Sequence, residues 1–317
     1  MMAGRKFDLV TILGHTAAGK TAFSAQLARR LSGEIISADS RQVYRGMDIG
    51  TGKDYKDYKV GKSTIPYYLI DIVDAGYEYN VYLFKQDFLN AYNQITSRDK
   101  VPLLCGGSGL YIESVLRDYQ LAPVPVQTEL RGELENKSLE ELESILRLYG
   151  PLHNETDLGN RKRIIRAIEI ATYQSRHPET EAEVKDLHSL VLGIKYDRAS
   201  RRERITKRLE MRLDTGLVEE VERLLDRGIT PERMDYYGLE YRFVTRYIMK
   251  EINYDEMFNR LNTAIHQFAK RQMTYFRGME RRGVSIHWLD GRLAMEEKIK
   301  IALALYKAVG NEGKSVT

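Results

Sequence analysis

Leu9-Val10-Thr11-Ile12-Leu13-Gly14-His15-Thr16-Ala17-Ala18-Gly19-Lys20-Thr21 is the stretch on which the fold turns. Apolar residues run up to Gly14, a glycine-bounded loop follows, and a helix begins near Lys20 with Phe23, Leu27, Ala28 and Leu31 on one face. Gly33 is placed to end that helix. The loop fits the spacing G-x-x-x-x-G-K-S/T. Its glycines let the backbone turn N–H groups inward at a phosphate, and the new helix adds its positive N-terminal end. Lys20 supplies a point charge, and Thr21 offers a hydroxyl to Mg2+. Gly14, His15, Thr16, Ala17, Ala18, Gly19, Lys20 and Thr21 together form a candidate diphosphate or oligophosphate site. The motif alone does not specify ATP.

Outward from the loop, Glu34–Ala38 reads as a second strand with Asp39 at its C-terminal end. Tyr67–Val73 reads as a third, and Val101–Cys105 as a fourth, running into Gly106-Gly107-Ser108-Gly109. Apolar runs separated by helical patterns imply a parallel α/β sheet flanked by helices, of the P-loop NTPase-like kind. An ordinary ATPase carries an acid at the end of a core strand to hold Mg2+. The strand ending at Cys105 has none, although Asp71 and Asp74 are candidates for that role. After Tyr119 the character changes. Residues 120–187 begin near Pro123 and Pro125 and continue as charged, mostly helical sequence, so they read as a helical insertion between core segments 1–119 and 188–317. Leu190–Ile194 is a return strand, Ser200–Arg281 is helical, Ile286–Leu289 is a last strand, and Glu296–Val309 a final helix.

The 317 residues carry a net charge of +4 with 49 Lys and Arg, a mild excess. Cys105 is the only cysteine, which rules out an intramolecular disulfide and suits a reducing cytosol. Met1-Met2-Ala3-Gly4-Arg5-Lys6 does not read as a signal peptide, and no apolar run approaches the ~20 residues that span a bilayer. A cytoplasmic location is the expectation. His153, His177 and His188 lack metal-ligand spacing. The basic residues between Arg201 and Arg227 alternate with acids and read as solvated surface. Lys270, Arg271 and Arg277, interleaved with Tyr275 and Phe276, form a purer basic cluster that favours RNA. From the residues alone, Asp39 is a general base, a turn cap or a Mg2+ ligand.

Five ordered blocks add a resemblance. Gly14–Thr21, Glu34–Thr51, Gly106–Tyr111, Arg163–Ala167 and Ala269–Arg277, with His287-Trp288-Leu289-Asp290 after them, are similar to the tRNA dimethylallyltransferase family. The resemblance implies that the loop binds dimethylallyl diphosphate with Mg2+ and that the group goes to N6 of the adenosine 3′-adjacent to the anticodon in tRNA. It implies that Asp39, in the Asp-Ser-x-Gln block, acts on the target adenine. Ser40, Arg41 and Gln42 of that block are implied nucleotide contacts. Ser108 keeps a hydroxyl where the family has Thr, and Arg208 is an implied diphosphate ligand. Arg163, Arg166, Lys270, Arg271, Gln272, Thr274 and Arg277 are implied tRNA contacts. A monomer is expected. His15 replaces a Pro, His266 an Arg, and Tyr237-Gly238-Leu239-Glu240 puts an acid where the pattern is basic. There is no C-terminal Cys/His zinc module. The chemistry agrees with these roles: diphosphate departure needs cations and N–H donors, and the exocyclic amine needs a carboxylate to take its proton. The competing readings are a small-molecule kinase, an isopentenyltransferase for free adenine nucleotides, and an RNA-binding module without catalysis.

Overall fold

The computed structural model describes residues 7–119, 121, 123–149, 159–176 and 187–308. Gln120, His153, His177, Val309 and the leading Met1–Lys6 lie outside the described residues. The chain divides into two units, Met1–Asp118 with Asp186–Thr317, and Tyr119–Lys185.

In the larger unit, β1 (Leu9–Gly14) leads through the loop to α1 (Lys20–Leu31). Ser32, with φ 52°, caps α1 in the left-handed conformation and returns its N–H to the Ala28 carbonyl. Gly33 does not end the helix as the sequence suggested; it opens β2 (Gly33–Ala38). A Cβ there would lie 2.4 Å from Leu103 Cδ1, so the glycine serves close strand packing. A hairpin of β3 (Lys59–Val60) and β4 (Ser63–Thr64) precedes β5 (Tyr67–Tyr68). The expected seven-residue strand is cut to these two residues. Leu69 and Asp71 adopt φ of 62° and 57°, which breaks an extended run. Asp71 is held there by the Lys53 ammonium and the Tyr55 hydroxyl.

Next come α2 (Val81–Thr96), β6 (Val101–Gly106) and α3 (Gly109–Leu116). The smaller unit holds α4 (Thr128–Glu135), α5 (Leu139–Arg147) and α6 (Arg161–Arg176). Leu134, Leu142, Ile164, Ile165 and Ile168 form its small core. A Ser138–Glu141 capping box starts α5. In the larger unit again, β7 (Ser189–Lys195) is followed by α7 (Arg198–Asp214), α8 (Leu217–Asp226), α9 (Pro231–Tyr237), α10 (Leu239–Ile248) and α11 (Tyr254–Arg281). Strand β8 (His287–Asp290) and α12 (Met295–Ala308) complete it.

The six-stranded sheet has the order β5-β2-β6-β1-β7-β8, and every pairing is parallel. Alternation along the strands sends residues to two cores. Leu9, Leu13, Ile36, Leu104 and Val191 join the face packed with Phe84, Ile205 and Phe276. Val10, Ile12, Ile35, Leu103 and Leu192 join the face packed with Phe23, Leu27 and Ile299. Each such apolar side chain contributes about 1.5–3 kcal/mol when fully buried. Because the central strands are parallel, their C-terminal ends at Gly14, Ala38 and Gly106 share one edge, where loops collect into a site.

Candidate active site

At the end of β1, Gly14 has φ 155°, and a Cβ there would meet the Ile194 carbonyl at 2.6 Å. The loop then turns through Ala17 (φ 61°) and Gly19 (φ 77°) into α1. A non-glycine residue in the left-handed region costs about 1–2 kcal/mol, and such strain collects at sites that need a special backbone shape. The His15 side chain is fully buried, its Nδ1–H donates to the Thr16 carbonyl at 2.6 Å, and its Nε2 has no partner among the described residues. Burial pushes its pKa down to about 4, and Lys20, Arg201 and Arg204 push the same way. His15 is therefore neutral and serves the loop through its backbone. Lys20 donates from Nζ to the His15 carbonyl at 2.9 Å. As a residue it is half-buried, but its ammonium is enclosed, and that burial lowers its pKa to about 8. Asp39 pulls that value up and Arg208 pulls it down, so both charges bear on the ammonium.

Helix α7 brings a row of arginines to this edge. Arg201, Arg204, Arg208 and Arg212 stand three, four and four residues apart, which puts them on one helix face. Arg204 donates to the Ala17 carbonyl at 3.0 Å, and its guanidinium lies 4.6 Å from the Tyr196 ring centroid. Arg208 reaches Asp54 at 2.7 Å and the Gly52 carbonyl at 3.5 Å. Arg201 titrates below its usual range because of burial and the nearby Arg277 and Arg198 charges. Sequence reasoning singled out Arg208 and read Arg201 and Arg204 as solvated surface; Arg204 is indeed exposed, but its Nε–H is held by the Ala17 carbonyl, and the regular spacing was the signal for that row. It also missed Glu220, only 2% exposed, whose carboxylate accepts the N–H groups of Asp48, Ile49 and Gly50 at 2.7–2.9 Å. Glu220 thereby fixes the loop that carries Gly52 and Asp54 to Arg208.

Asp39 follows β2, and its Oδ1 accepts the Arg41 N–H at 3.0 Å, an Asx turn. Ser108 Oγ accepts the Ser40 N–H at 3.0 Å, and the Ser108 N–H donates to the Ala38 carbonyl. Gly106 permits this approach, since a Cβ there would lie 2.1 Å from the Ala38 carbonyl oxygen. The structure thus brings Lys20, Asp39, Ser40, Ser108 and Arg208 to one edge. Gln42 is committed to protein: its Oε1 accepts from the Ser37 hydroxyl at 2.9 Å, and its Nε2 donates to the Gly52 carbonyl at 3.1 Å. Asp71 and Asp74, the alternative acids, are paired with Lys53 and Arg45. Cys105 is buried, and that burial raises its thiol pKa, which suits a packed strand residue.

Among the described residues, no three His, Cys, Asp or Glu side chains cluster to cage a metal. Mg2+ takes few protein ligands and completes its shell with phosphate oxygens and water, so a single hydroxyl donor on a loop of this kind suits it. Thr21, on the first turn of α1 and without a hydrogen-bond partner among the described residues, is the side chain that fits this arrangement.

Helix α11 has two polar sides. Lys270, Arg271, Thr274 and Arg277 are exposed, as an RNA surface requires. Gln272 is the correction. It is 8% exposed, its Oε1 accepts the Thr16 N–H at 2.8 Å, and its Nε2 donates to the Gly107 carbonyl at 3.0 Å. It clamps the phosphate loop and faces away from any RNA on the outer side.

A family model described as IPP transferase matches residues 42–279, and one described as isopentenyl transferase matches residues 7–74. The chain belongs to the IPP transferase family. It is 59% identical over 293 residues to tRNA dimethylallyltransferase 2 of Bacteroides fragilis, covering 92% of this chain and 96% of that one. It is 56% identical over 295 residues to the protein of the same name from Phocaeicola vulgatus, covering 93% and 96%. Among solved structures, it resembles the tRNA isopentenylpyrophosphate transferase of Bacillus halodurans with a TM-score of 0.68 at 30% identity, covering 96% of both chains. A eukaryotic dimethylallyltransferase shares the fold, with a TM-score of 0.76 at 20% identity, covering 95% of this chain and 79% of that one.

This IPP transferase departs from its family pattern at positions the structure now explains. Glu240 accepts from Arg212 at 2.9 Å, and both side chains are largely buried. Burial lowers the Arg212 pKa to about 10, so the acid is the partner that keeps a buried guanidinium paired. Its charge is paired within the protein. His266 Nε2 lies 3.3 Å from the Thr206 hydroxyl, which itself donates to Asn262. In the smaller unit, Arg163 is exposed on α6. Arg166 is spent locally, on the Val124 carbonyl at 2.7 Å and Glu169 at 2.9 Å.

Proposed function

We propose that this IPP transferase moves the dimethylallyl group of dimethylallyl diphosphate to N6 of the adenosine 3′-adjacent to the anticodon in tRNA, releasing diphosphate. The observation that carries the reading is the placement of a loop ammonium, Lys20, after β1 and an acid, Asp39, after β2, at the shared C-terminal edge of the parallel strands. One serves a leaving diphosphate, the other an incoming amine. The names of the relatives support it from a separate direction.

In the reaction, the carbon–oxygen bond to the diphosphate breaks and a carbon–nitrogen bond forms to N6. The electron pair of the broken bond leaves with the diphosphate, and the N6 proton passes to a carboxylate oxygen of Asp39. Loop N–H groups, Lys20, Arg204 and Arg208 stabilise the charge that develops on the leaving oxygens. Mg2+, when bound beside Thr21, supplies further charge neutralisation. Ser108 holds the Ser40 backbone, and with it the turn that presents Asp39. Exposed Lys270, Arg271, Thr274 and Arg277 supply the tRNA-facing cations and hydroxyl. No helix among the described residues is long and apolar enough to cross a membrane. A cytoplasmic monomer is part of this reading.

Labelled dimethylallyl diphosphate offered with bulk tRNA, with AMP and with neither tests it. Label in tRNA is expected, and label in AMP or turnover of ATP would replace this reading with a rival. Asp39→Asn separates base from metal ligand. Loss of the base should lower kcat by about 10²–10⁴ with donor affinity near normal. A parallel loss of donor affinity, partly rescued by added Mg2+, would make Asp39 a metal ligand instead.

A further inference from the structure

Arg41 fills the variable position of the Asp-Ser-x-Gln block, directly after the acid and Ser40. Its guanidinium lies 4.8 Å from the Tyr236 ring centroid. Arg233 lies at the same distance, 4.8 Å, from the same ring. The two arginines are not equivalent. Arg233 is satisfied, by Glu78 at 3.0 Å and the Gly76 carbonyl at 2.9 Å. The Arg41 guanidinium has no carboxylate within ion-pair distance and no hydrogen-bond acceptor among the described residues, and its own residue is half-buried. Tyr236 is itself fixed. Its hydroxyl donates to the Tyr79 carbonyl at 3.2 Å and lies 3.4 Å from the Tyr44 hydroxyl, and its ring meets Tyr237 edge-on at 5.5 Å. A guanidinium laid on an immobile ring loses rotamer freedom before any ligand arrives, and its fork of N–H donors is then preset for a phosphate.

We propose that Arg41 binds a backbone phosphate of the RNA strand at the nucleotide whose base reaches Asp39, with Tyr236 as the residue that positions it. The inference rests on the tRNA-transferase reading above. The alternative source of a phosphate is the donor's diphosphate, and the contacts separate the two. On the loop side, Lys20 donates to the His15 carbonyl, Arg204 to the Ala17 carbonyl and Arg208 to Asp54. The Tyr236 ring under Arg41 instead meets Tyr44, Tyr79 and Tyr237, none of them in the loop. Arg41 is tied to Asp39 by the turn in which Asp39 Oδ1 accepts its N–H, so it accompanies the acid and not the loop cations. A nucleotide whose amine reaches Asp39 carries its own phosphates within a side chain's reach of Arg41.

The test uses the full chain with bulk tRNA and dimethylallyl diphosphate. Arg41→Gln should weaken tRNA binding by roughly tenfold, the size of one charge-assisted contact. The salt slope of that binding should flatten by about 0.7, the value for one single-strand phosphate. The KM for dimethylallyl diphosphate should stay within about twofold of wild type. Arg41→Lys should restore the slope while leaving part of the affinity loss, because the charge returns without the fork. Tyr236→Leu should raise the KM for tRNA several-fold with kcat at saturating tRNA and the salt slope little changed, the signature of a positioning residue. Tyr236→Phe, which keeps the ring, should recover most of that KM. Arg41→Gln with wild-type tRNA binding and slope would overturn the proposal, as would a KM effect confined to the donor. Retention of tRNA on a filter requires no turnover. A wild-type protein that bound tRNA without transferring label would therefore sink the proposed activity and leave the Arg41 comparison intact.

Discussion

On α7, Arg204, Arg208 and Arg212 each reach a protein oxygen, at Ala17, Asp54 and Glu240. On the outer face of α11, Lys270, Arg271 and Arg277 stand exposed with no ion pair among the described residues. Both helices read as basic in sequence, and the proposed function gives them different tasks. A small leaving group develops charge within one reaction step, so its cations must already be oriented; a mobile lysine would have to be ordered at the barrier. A polyanion arrives before the chemistry and contributes through counterion release, for which flexible exposed charge suffices. Anchoring therefore sorts the basic residues better than their number does.

Arg208→Ala attacks the anchored set and should have the largest effect. Loss of one preorganised donor costs about 10²–10³ in kcat. The tRNA salt slope should not move, and a changed slope in a filter-binding series would show that α7 faces RNA. Glu240→Gln strips the counter-charge from buried Arg212 and should lower stability by about 3 kcal/mol. Chemical denaturation measures this, and tighter tRNA binding at unchanged stability would return Glu240 to the RNA surface. The triple change Lys270→Ala, Arg271→Ala and Arg277→Ala addresses the unanchored set. Affinity for tRNA should fall by about 10–100-fold, with the slope flatter by roughly 0.7–0.9 per lost contact. Single-turnover rates at saturating tRNA should stay near wild type, which distinguishes α11 from α7.

The smallest effect concerns the loop between them. The folded pKa of His15, about 4, lies below its ordinary value of 6.5. The folded protein therefore binds this proton less readily than the unfolded chain. The stability contribution is fully present above pH 6.5 and is lost as pH falls from 6.5 toward 4. By pH 5 the loss should be about 2 kcal/mol. His15→Asn retains a donor for the Thr16 carbonyl and has no such proton. The stability difference between wild type and variant should therefore change with pH in this window, and parallel pH profiles would show that the ring is not buried in solution.

Much of the core was legible because its signals are local. The loop, the sheet strands and the acid after β2 each sit in a few contiguous residues whose backbone preferences and apolar runs do not depend on distant partners. The strand expected at Tyr67–Val73 shows the limit. Its apolar pattern is intact, but the Lys53 and Tyr55 contacts to Asp71 hold the chain in a turn. The composition, with its single cysteine, likewise said nothing about Glu220, whose three backbone partners lie some 170 residues earlier in the chain.

The sequence by itself determined the glycine-bounded loop, the parallel character of the sheet around it, the position of Asp39 and the family. Each follows from short-range pattern or from ordered blocks of residues. Only the tertiary structure decided the direction of polar side chains on helices that are polar on more than one face. Gln272 lies between Arg271 and Met273 in a basic block, and helical periodicity alone does not tell an RNA contact from a loop clamp. Its partner, the Thr16 amide, is 256 residues away. Arg204 and Glu240 were likewise assigned by the Ala17 carbonyl and the Arg212 guanidinium they meet. A charged side chain takes its role from whatever desolvates or pairs it, and that partner is set by packing across the chain.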